Sequence, residues 1–149
     1  MVHPGNQKPH TDEEIWECCR AVGLSEPLIG NADVKVGNRG LKLSVSDRII
    51  VGIVRALLSS VDLLLISNSM DMLGIKESEF ILNLLRKWID NRGMPFLSAD
   101  NPPGVITALK KRKTVFYITK NKELESLADT SIKLSRDSIA ISPATSPSL

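Results

Sequence analysis

The chain has 149 residues, of which 42% are hydrophobic, so it is long enough for one domain with a single core or for a piece of a larger domain. Its formal net charge of +2 provides no strongly basic surface and argues against nucleic acid as a partner. The two cysteines, Cys18 and Cys19, are sequence neighbours, a spacing that builds neither a disulfide framework nor a zinc site and that favours a reducing, intracellular setting.

The first predicted helix follows Thr11, which is a candidate N-cap before three acidic residues. Apolar residues recur at helical spacing up to Gly23, where the helix is expected to end. A second helix is expected from Ser46 to Leu58. A turn at Ser59 and Ser60 then leads to a buried strand from Asp62 to Ile66.

The aliphatic stretch from Ile49 to Ile66 is close to the length that spans a bilayer. It contains Arg55 and Asp62, and each charge would cost roughly 2.5 to 3.5 kcal/mol at a bilayer centre. We therefore interpret this stretch as a helix followed by a strand. The N-terminus has no charged start followed by an apolar run, so no secretory signal is expected.

The second half of the chain continues the alternation of helices and strands. An apolar stripe predicts a helix from Lys76 to Arg92 with Gly93 as its C-cap. Met94 to Gly104 is rich in proline and polar residues and predicts a loop. Thr114 to Ile118 is β-branched and aromatic and predicts a second buried strand.

The C-terminal region predicts a short helix from Lys122 to Ala128 and two further strands, Ser131 to Leu134 and Ser138 to Ile141. Residues 1–10 and 142–149 are expected to be disordered. Strands that alternate with helices indicate an α/β fold with a mostly parallel sheet and right-handed crossovers.

Several short motifs in this order carry a resemblance to one family. Val36 to Ser44 (VGNRGLKLS) and Arg55 to Leu58 (RALL) resemble the nucleotide-binding domain of ATP-binding cassette (ABC) transporters, whose exporter branch has VGERGLKLSGGQ, then ARALL, then an apolar strand ending in Asp-Glu. Thr11 to Gly23 is similar to the helical subdomain of that family. Lys113 to Lys120 (KTVFYITK) is similar to its KTVIFITH strand. The resemblance covers roughly residues 11–141.

The resemblance implies a partial P-loop NTPase-like, ABC-type three-layer α/β sandwich that lacks the phosphate-loop strand. It divides the chain into a helical subdomain at about 11–60 and core strands and helices at about 61–141. The strands at 62–66 and 114–118 are expected to pair, and the missing strand would lie beside the latter, leaving an apolar sheet edge. The chain is then a fragment of a longer transporter subunit or a module that a partner stabilises.

The same resemblance implies a functional setting. The family binds ATP with Mg²⁺ and couples hydrolysis to transport. Its partners are a transporter transmembrane domain and a second nucleotide-binding domain, which places this chain in the cytoplasm, peripheral to a membrane.

The phosphate-loop pattern GxxxxGK[ST] does not occur in the sequence. The segment from Gly37 to Lys42 has the wrong glycine spacing for that loop, and we expect it to be a turn that enters the next helix. About half of the usual domain is therefore expected to be absent from this chain.

The family signature LSGGQ corresponds here to Leu43, Ser44, Val45, Ser46 and Asp47. Leu43 and Ser44 match the signature, and the three following residues differ from it. Val45 places a β-branched side chain where the family has a glycine, which would let the backbone approach phosphate. These four residues, 44–47, are a weakened candidate nucleotide contact. The alternative is that Ser44 or Ser46 caps the following helix.

The catalytic positions of the family are substituted. Ser67 and Asn68 stand where an aspartate supports the magnesium ion and a glutamate polarises water, and neither supplies a negative charge. Gly74 replaces the D-loop aspartate, and Asp71 is expected to be a solvated loop acid. Lys120 replaces the switch histidine and cannot act as both donor and acceptor. We expect no catalytic residue and no metal ligand in this chain.

Other candidates are interpreted structurally. His3 and His10 are expected to be solvated, Trp16 and Trp88 to be core or interface anchors, and Lys110 to Lys113 to be a solvated helix end. Three functions stay open: a degenerate ABC-type domain or fragment, an ATPase half completed by a partner chain, and an unrelated α/β interaction module.

Overall fold

The computed structural model describes residues 10–59, 61–97 and 110–143. Helix α1 spans Asp12–Val22 and begins with a capping box, in which Thr11 and Glu14 each accept a hydrogen bond from the backbone amide of the other. Gly23 ends the helix with a left-handed φ of 90°, and the amide of Leu24 bonds the carbonyl of Cys19 at 2.9 Å. Both predicted ends of this helix are confirmed.

Helix α2 spans Val45–Leu58 and starts one residue before the predicted position because Ser44 is its N-cap. The predicted turn before it is confirmed: Asn38–Gly40 form a 3₁₀ turn, and the amide of Lys42 bonds the carbonyl of Val36 at 2.9 Å. Within the described ranges, no helix is both long enough and apolar enough to cross a membrane.

Strands β1 (Leu63–Ile66) and β2 (Thr114–Tyr117) pair in parallel, with Leu63 opposite Thr114 and Ile66 opposite Tyr117. This confirms the predicted pairing. The prediction that both strands are buried is wrong, since only the face that carries Leu64 and Ile66 packs in the core. Leu65 is 69% exposed and Phe116 is 50% exposed, because no described element covers the opposite face.

Helix α3 spans Ile75–Asp90 and buries Trp88, which is 1% exposed, as the predicted apolar stripe requires. Gly93 is not its C-cap. Arg92 takes the left-handed position with a φ of 54°, and the amide of Gly93 bonds the carbonyl of Trp88 at 2.9 Å, which closes a Schellman turn. A bond of 3.0 Å from the Arg92 guanidinium to the carbonyl of Lys110 helps to hold this turn.

The C-terminal part contains α4 (Lys122–Ser126), β3 (Thr130–Leu134) and β4 (Ile139–Pro143). β3 and β4 form a separate antiparallel hairpin, because the four residues between them are too few for a parallel crossover. The expected mostly parallel sheet therefore describes only the β1–β2 pair. The three-layer, P-loop-like arrangement stays a prediction.

The predicted disorder needs a correction at each end. At the N-terminal end, His10 is placed by a contact of 2.6 Å with the carbonyl of Leu58. Ser142 and Pro143 belong to β4, where Ser142 lies opposite Ser131. Residues 1–9 and 144–149 lie outside the described residues, as do positions 98–104 of the predicted loop.

The core lies between the helices and the covered face of β1 and β2. Its members are mostly aliphatic side chains, together with two methionines, Trp88 and two free thiols. The most deeply buried are Cys18, Val22, Leu57, Met70, Ile81, Leu85, Trp88, Leu97 and Leu124. Burial raises the pKa of the Cys19 thiol, which keeps this group protonated and unreactive at neutral pH.

Candidate functional site

The carboxyl ends of β1 and β2 bring together the residues that the sequence singled out as substituted catalytic positions. Ser67 and Asn68 follow β1, and Thr119 and Lys120 follow β2. Because the two strands are parallel and in register, these pairs lie at the same end of the sheet. Asn68 has a left-handed φ of 44°, which turns the chain sharply away from the strand.

Asp71 joins the two strand ends. It lies in the 3₁₀ turn Met70–Met72, and its carboxylate accepts hydrogen bonds from the hydroxyl of Thr119 and from the amide of Lys120, the latter at 2.9 Å. The Thr119 hydroxyl, then the Lys120 amide, hold the pKa of Asp71 below its usual range. Asp71 is exposed, as predicted, but the prediction of a merely solvated acid is wrong because both carboxylate oxygens have partners.

The turn that carries Asp71 is itself anchored to the core. The hydroxyl of Ser78, in α3, is fully buried and donates a hydrogen bond of 2.8 Å to the carbonyl of Met70. The sequence did not indicate this role for Ser78 or for Thr119, since both bonds depend on how α3 and β2 are placed in space.

The N-terminus of α2 holds the candidate signature residues. The Ser44 hydroxyl oxygen accepts a bond of 3.0 Å from the amide of Asp47, and the same hydroxyl donates to the Asp47 carboxylate at 2.6 Å. The other carboxylate oxygen accepts the amide of Ser25 at 3.3 Å. Burial raises the pKa of Asp47, but the bonds from Ser44 and Ser25 outweigh it and lower the pKa below the usual value. The capping alternative is confirmed for Ser44.

An open groove of about 400 Å³ separates the start of α2 from β1. Val45 and Ser67 both line it, so the structure brings one signature residue and one substituted catalytic residue together. Val45 is 40% exposed. The other candidate residues do not line this groove: Ser44, Ser46, Asp47, Asn68 and Lys120.

The described residues at these positions do not fit a magnesium nucleotide. Mg²⁺ is usually held by one or two carboxylates with substrate phosphates, and Ser67 and Asn68 provide none. Asp71 and Asp47 already accept hydrogen bonds at both oxygens. In residues 10–59, 61–97 and 110–143, no three potential ligands of the His, Cys, Asp and Glu type lie together.

The basic segment Lys110 to Lys113 directly precedes β2 and so lies at the opposite end of the sheet. The ammonium group of Lys113 donates to the carbonyl of Val61 at 2.9 Å and to the carboxylate of Asp62 at 3.1 Å, and it lies 5.4 Å from the centre of the Trp88 ring. Only 5% of the Lys113 side chain is exposed, so the prediction of a solvated run is wrong for this residue. Burial raises the pKa of Asp62, but the hydrogen bonds and charges of Lys113 and Lys111 together outweigh it and lower the pKa below its usual value.

His10 is also not solvated. Its ring nitrogens lie 2.6 Å from the carbonyl of Leu58 and 3.4 Å from the Glu14 carboxylate, so the imidazole ties the start of α1 to the end of α2. The sequence separation of 48 residues explains why the pattern of residues gave no signal for this contact. His3 lies outside the described residues.

Comparison with known proteins gives one partial relationship. No protein-family model matches the chain, and no solved structure matches it. Over 91 residues the chain is 30% identical to a protein of Oryzias latipes named "Iron-sulfur clusters transporter ABCB7, mitochondrial". The match covers 59% of this chain and 12% of that transporter, so the chain corresponds to a small part of its relative. Over this stretch the chain is related to an ABC transporter.

Proposed function

We propose that this chain is a degenerate nucleotide-binding domain of the ABC type, or a fragment of one, that acts through contacts within a transporter assembly and does not hydrolyse ATP. The observation that carries the proposal is the carboxyl end of the β1–β2 pair. The substituted positions at this end are Ser67, Asn68 and Lys120. The carboxylate of Asp71 accepts hydrogen bonds from Thr119 and Lys120, which follow β2.

The segments whose sequences stay close to the family pattern are those that pack in the core. Leu57, in the RALL segment, is fully buried, and Leu64 and Ile66 of β1 lie in the same core. These positions need shape and apolarity, whereas ATP hydrolysis needs a general base and a magnesium ligand. This division favours a role in folding or contact over a role in chemistry.

The proposed partners are inferred from the relationship to an ABC transporter. In this proposal they are a transporter transmembrane domain and a second nucleotide-binding domain, and the chain lies at the cytoplasmic surface of a membrane. In this proposal the chain alone binds neither ATP nor Mg²⁺.

Two measurements test the proposal. Calorimetric titration of the chain with MgATP and with MgADP should give no binding heat, and a phosphate-release assay should match the buffer control. Sequencing the transcript upstream of the codon for Met1, together with the neighbouring genes, should reveal a GxxxxGK[ST] loop and membrane spans. Tight MgATP binding with turnover would contradict the inactive role, and a gene without any transporter context would contradict the assembly role.

A further inference from the structure

The ring of His10 lies between two groups that can only accept hydrogen bonds. Its Nε2 atom is 2.6 Å from the carbonyl oxygen of Leu58, and its Nδ1 atom is 3.4 Å from the carboxylate of Glu14. A neutral imidazole has one N–H group and can donate to only one of these oxygens, whereas the doubly protonated ring can donate to both. The surroundings of the ring therefore suit its charged form.

The length of the shorter contact supports the same assignment. Hydrogen bonds from nitrogen to oxygen are usually about 2.9 Å long, and bonds from a charged donor are shorter. The side chains of His10 and Glu14 are 14% and 12% exposed, so salt and water screen this pair less than they screen a surface pair. In the neutral ring, the nitrogen without a proton would face an acceptor, and one of the two bonds would be lost.

Glu14 is held in position to meet the ring. Its carboxylate also accepts the amide of Thr11 at 3.0 Å, which is one half of the capping box of α1. On α2, the charged residue of the last turn is Arg55, which is exposed. Among the described residues, the ring forms its ion pair with Glu14 and none with Arg55. The charge that faces the ring is therefore negative.

The contact joins two antiparallel helices at one of their ends. His10 precedes α1 and Leu58 ends α2, while at the far end of the pair the amide of Ser25 donates to the carboxylate of Asp47. Burial raises the pKa of Asp47, but the bonds from Ser44 and Ser25 lower it below the usual value, so the far end keeps its bond in mild acid. A change between neutral pH and mild acid therefore acts on the His10 end alone.

We infer that His10 is a pH-sensitive clamp, which holds the start of α1 to the end of α2 with two hydrogen bonds when the ring is doubly protonated and with one when it is neutral. Histidine is the side chain whose ordinary charge change falls between pH 5 and 8. The protonated ring has more to lose on unfolding, so the contribution of His10 to stability is largest in mild acid and falls as the pH rises. The inference rests on the geometry of this ring and not on the proposed function.

NMR spectra of the imidazole protons test the number of bonds directly. The whole chain is used in a His3→Gln background, which leaves His10 as its one histidine. At pH 5.5 both ring N–H protons should be protected from exchange with water, and at pH 9 one should remain. Protection of one ring proton, or of neither, at pH 5.5 would overturn the inference.

Urea titration in the same background tests the effect on stability. His10→Gln should reduce the equilibrium constant for folding about fivefold more at pH 5.5 than at pH 8, because bonds from a charged donor are stronger than neutral ones. An equal loss at both pH values would overturn the inference. If His10→Gln is too unstable for the comparison, the ring protons of the chain that keeps His10 still decide.

Glu14→Gln is the matched variant because it removes the negative charge and keeps the capping box, in which glutamine can replace glutamate. With Gln at this position, the losses caused by His10→Gln at the two pH values should differ by less than about twofold. A pH effect that Glu14→Gln leaves unchanged would contradict the role of the carboxylate and overturn the clamp.

Discussion

The carboxylate of Asp71 and the hydroxyl of Thr119 form a hydrogen bond that joins the turn after β1 to the end of β2. Together with the bond from the amide of Lys120, it joins the ends of the two strands. The Asp71 carboxylate thus helps to hold the fold together.

Replacing Asp71 with Asn should lower the free energy of unfolding at pH 7 by about 0.5 to 1 kcal/mol, a small loss because the bond is exposed. The folded pKa of Asp71 is below its unfolded value, so its contribution is present above the unfolded pKa and is lost as the pH falls through the folded pKa. Urea titrations at pH 7 and near pH 2 should therefore show the difference between wild type and variant shrinking in acid. A difference that grows in acid would contradict this role.

Replacing Lys113 with Met should destabilise the chain by about 2 to 3 kcal/mol, because it leaves the partly buried carbonyl of Val61 without its donor and removes the nearer of two cations from Asp62. The matched control is Lys111→Met. Lys111 also pairs with Asp62, at 3.4 Å, but 83% of its side chain is exposed, so its loss should cost less than about 0.5 kcal/mol. Equal effects of the two variants in chemical denaturation would show that Lys113 is not buried as described.

Replacing Ser44 with Ala should cost about 1 kcal/mol, the usual value for an N-cap serine, because the amide of Asp47 loses its partner. Ser46→Ala, two residues later and inside α2, should cost less than about 0.5 kcal/mol. The same two variants also distinguish a capping role of Ser44 from a role in nucleotide contact. A Ser44→Ala variant with unchanged stability would count against the cap.

Replacing the fully buried Leu57 with Ala should cost about 2 to 5 kcal/mol through the cavity it leaves. Leu41→Ala, at a position that is 71% exposed, should be nearly neutral, within about 0.5 kcal/mol. Melting curves followed by circular dichroism provide the comparison. Similar losses at both sites would contradict the packing of α2 in the core.

The helices could be predicted because caps and apolar stripes are local patterns, whereas the pairing of β1 with β2 was predicted from the resemblance to a known family. Thr11 and Gly23 mark the ends of α1 by cap chemistry that is visible within three residues. The bare face of β2 could not be predicted in the same way, since Phe116 and Val115 are both apolar and only tertiary packing decides which is covered.

The candidate site shows the same division between local and long-range information. The substitutions at Ser67, Asn68 and Lys120 follow from aligning motifs along the chain. The bonds of Asp71 to Thr119 and of His10 to Leu58 join residues 48 positions apart in each case, and no local signal predicts such contacts. Lys113 was misassigned because a run of four basic residues usually indicates solvent, and here the fourth lies over Trp88.

We propose that the carboxyl end of the β1–β2 pair holds the fold together and performs no nucleotide chemistry. Calorimetric titration of the whole chain with MgATP, repeated on the double variant Ser67→Asp/Asn68→Glu, which introduces two carboxylates, tests this proposal. We expect no binding heat for the wild type and no phosphate release by either protein, because the phosphate loop is absent from both sequences. Saturable MgATP binding by the wild type, with phosphate release that the double variant increases, would contradict it.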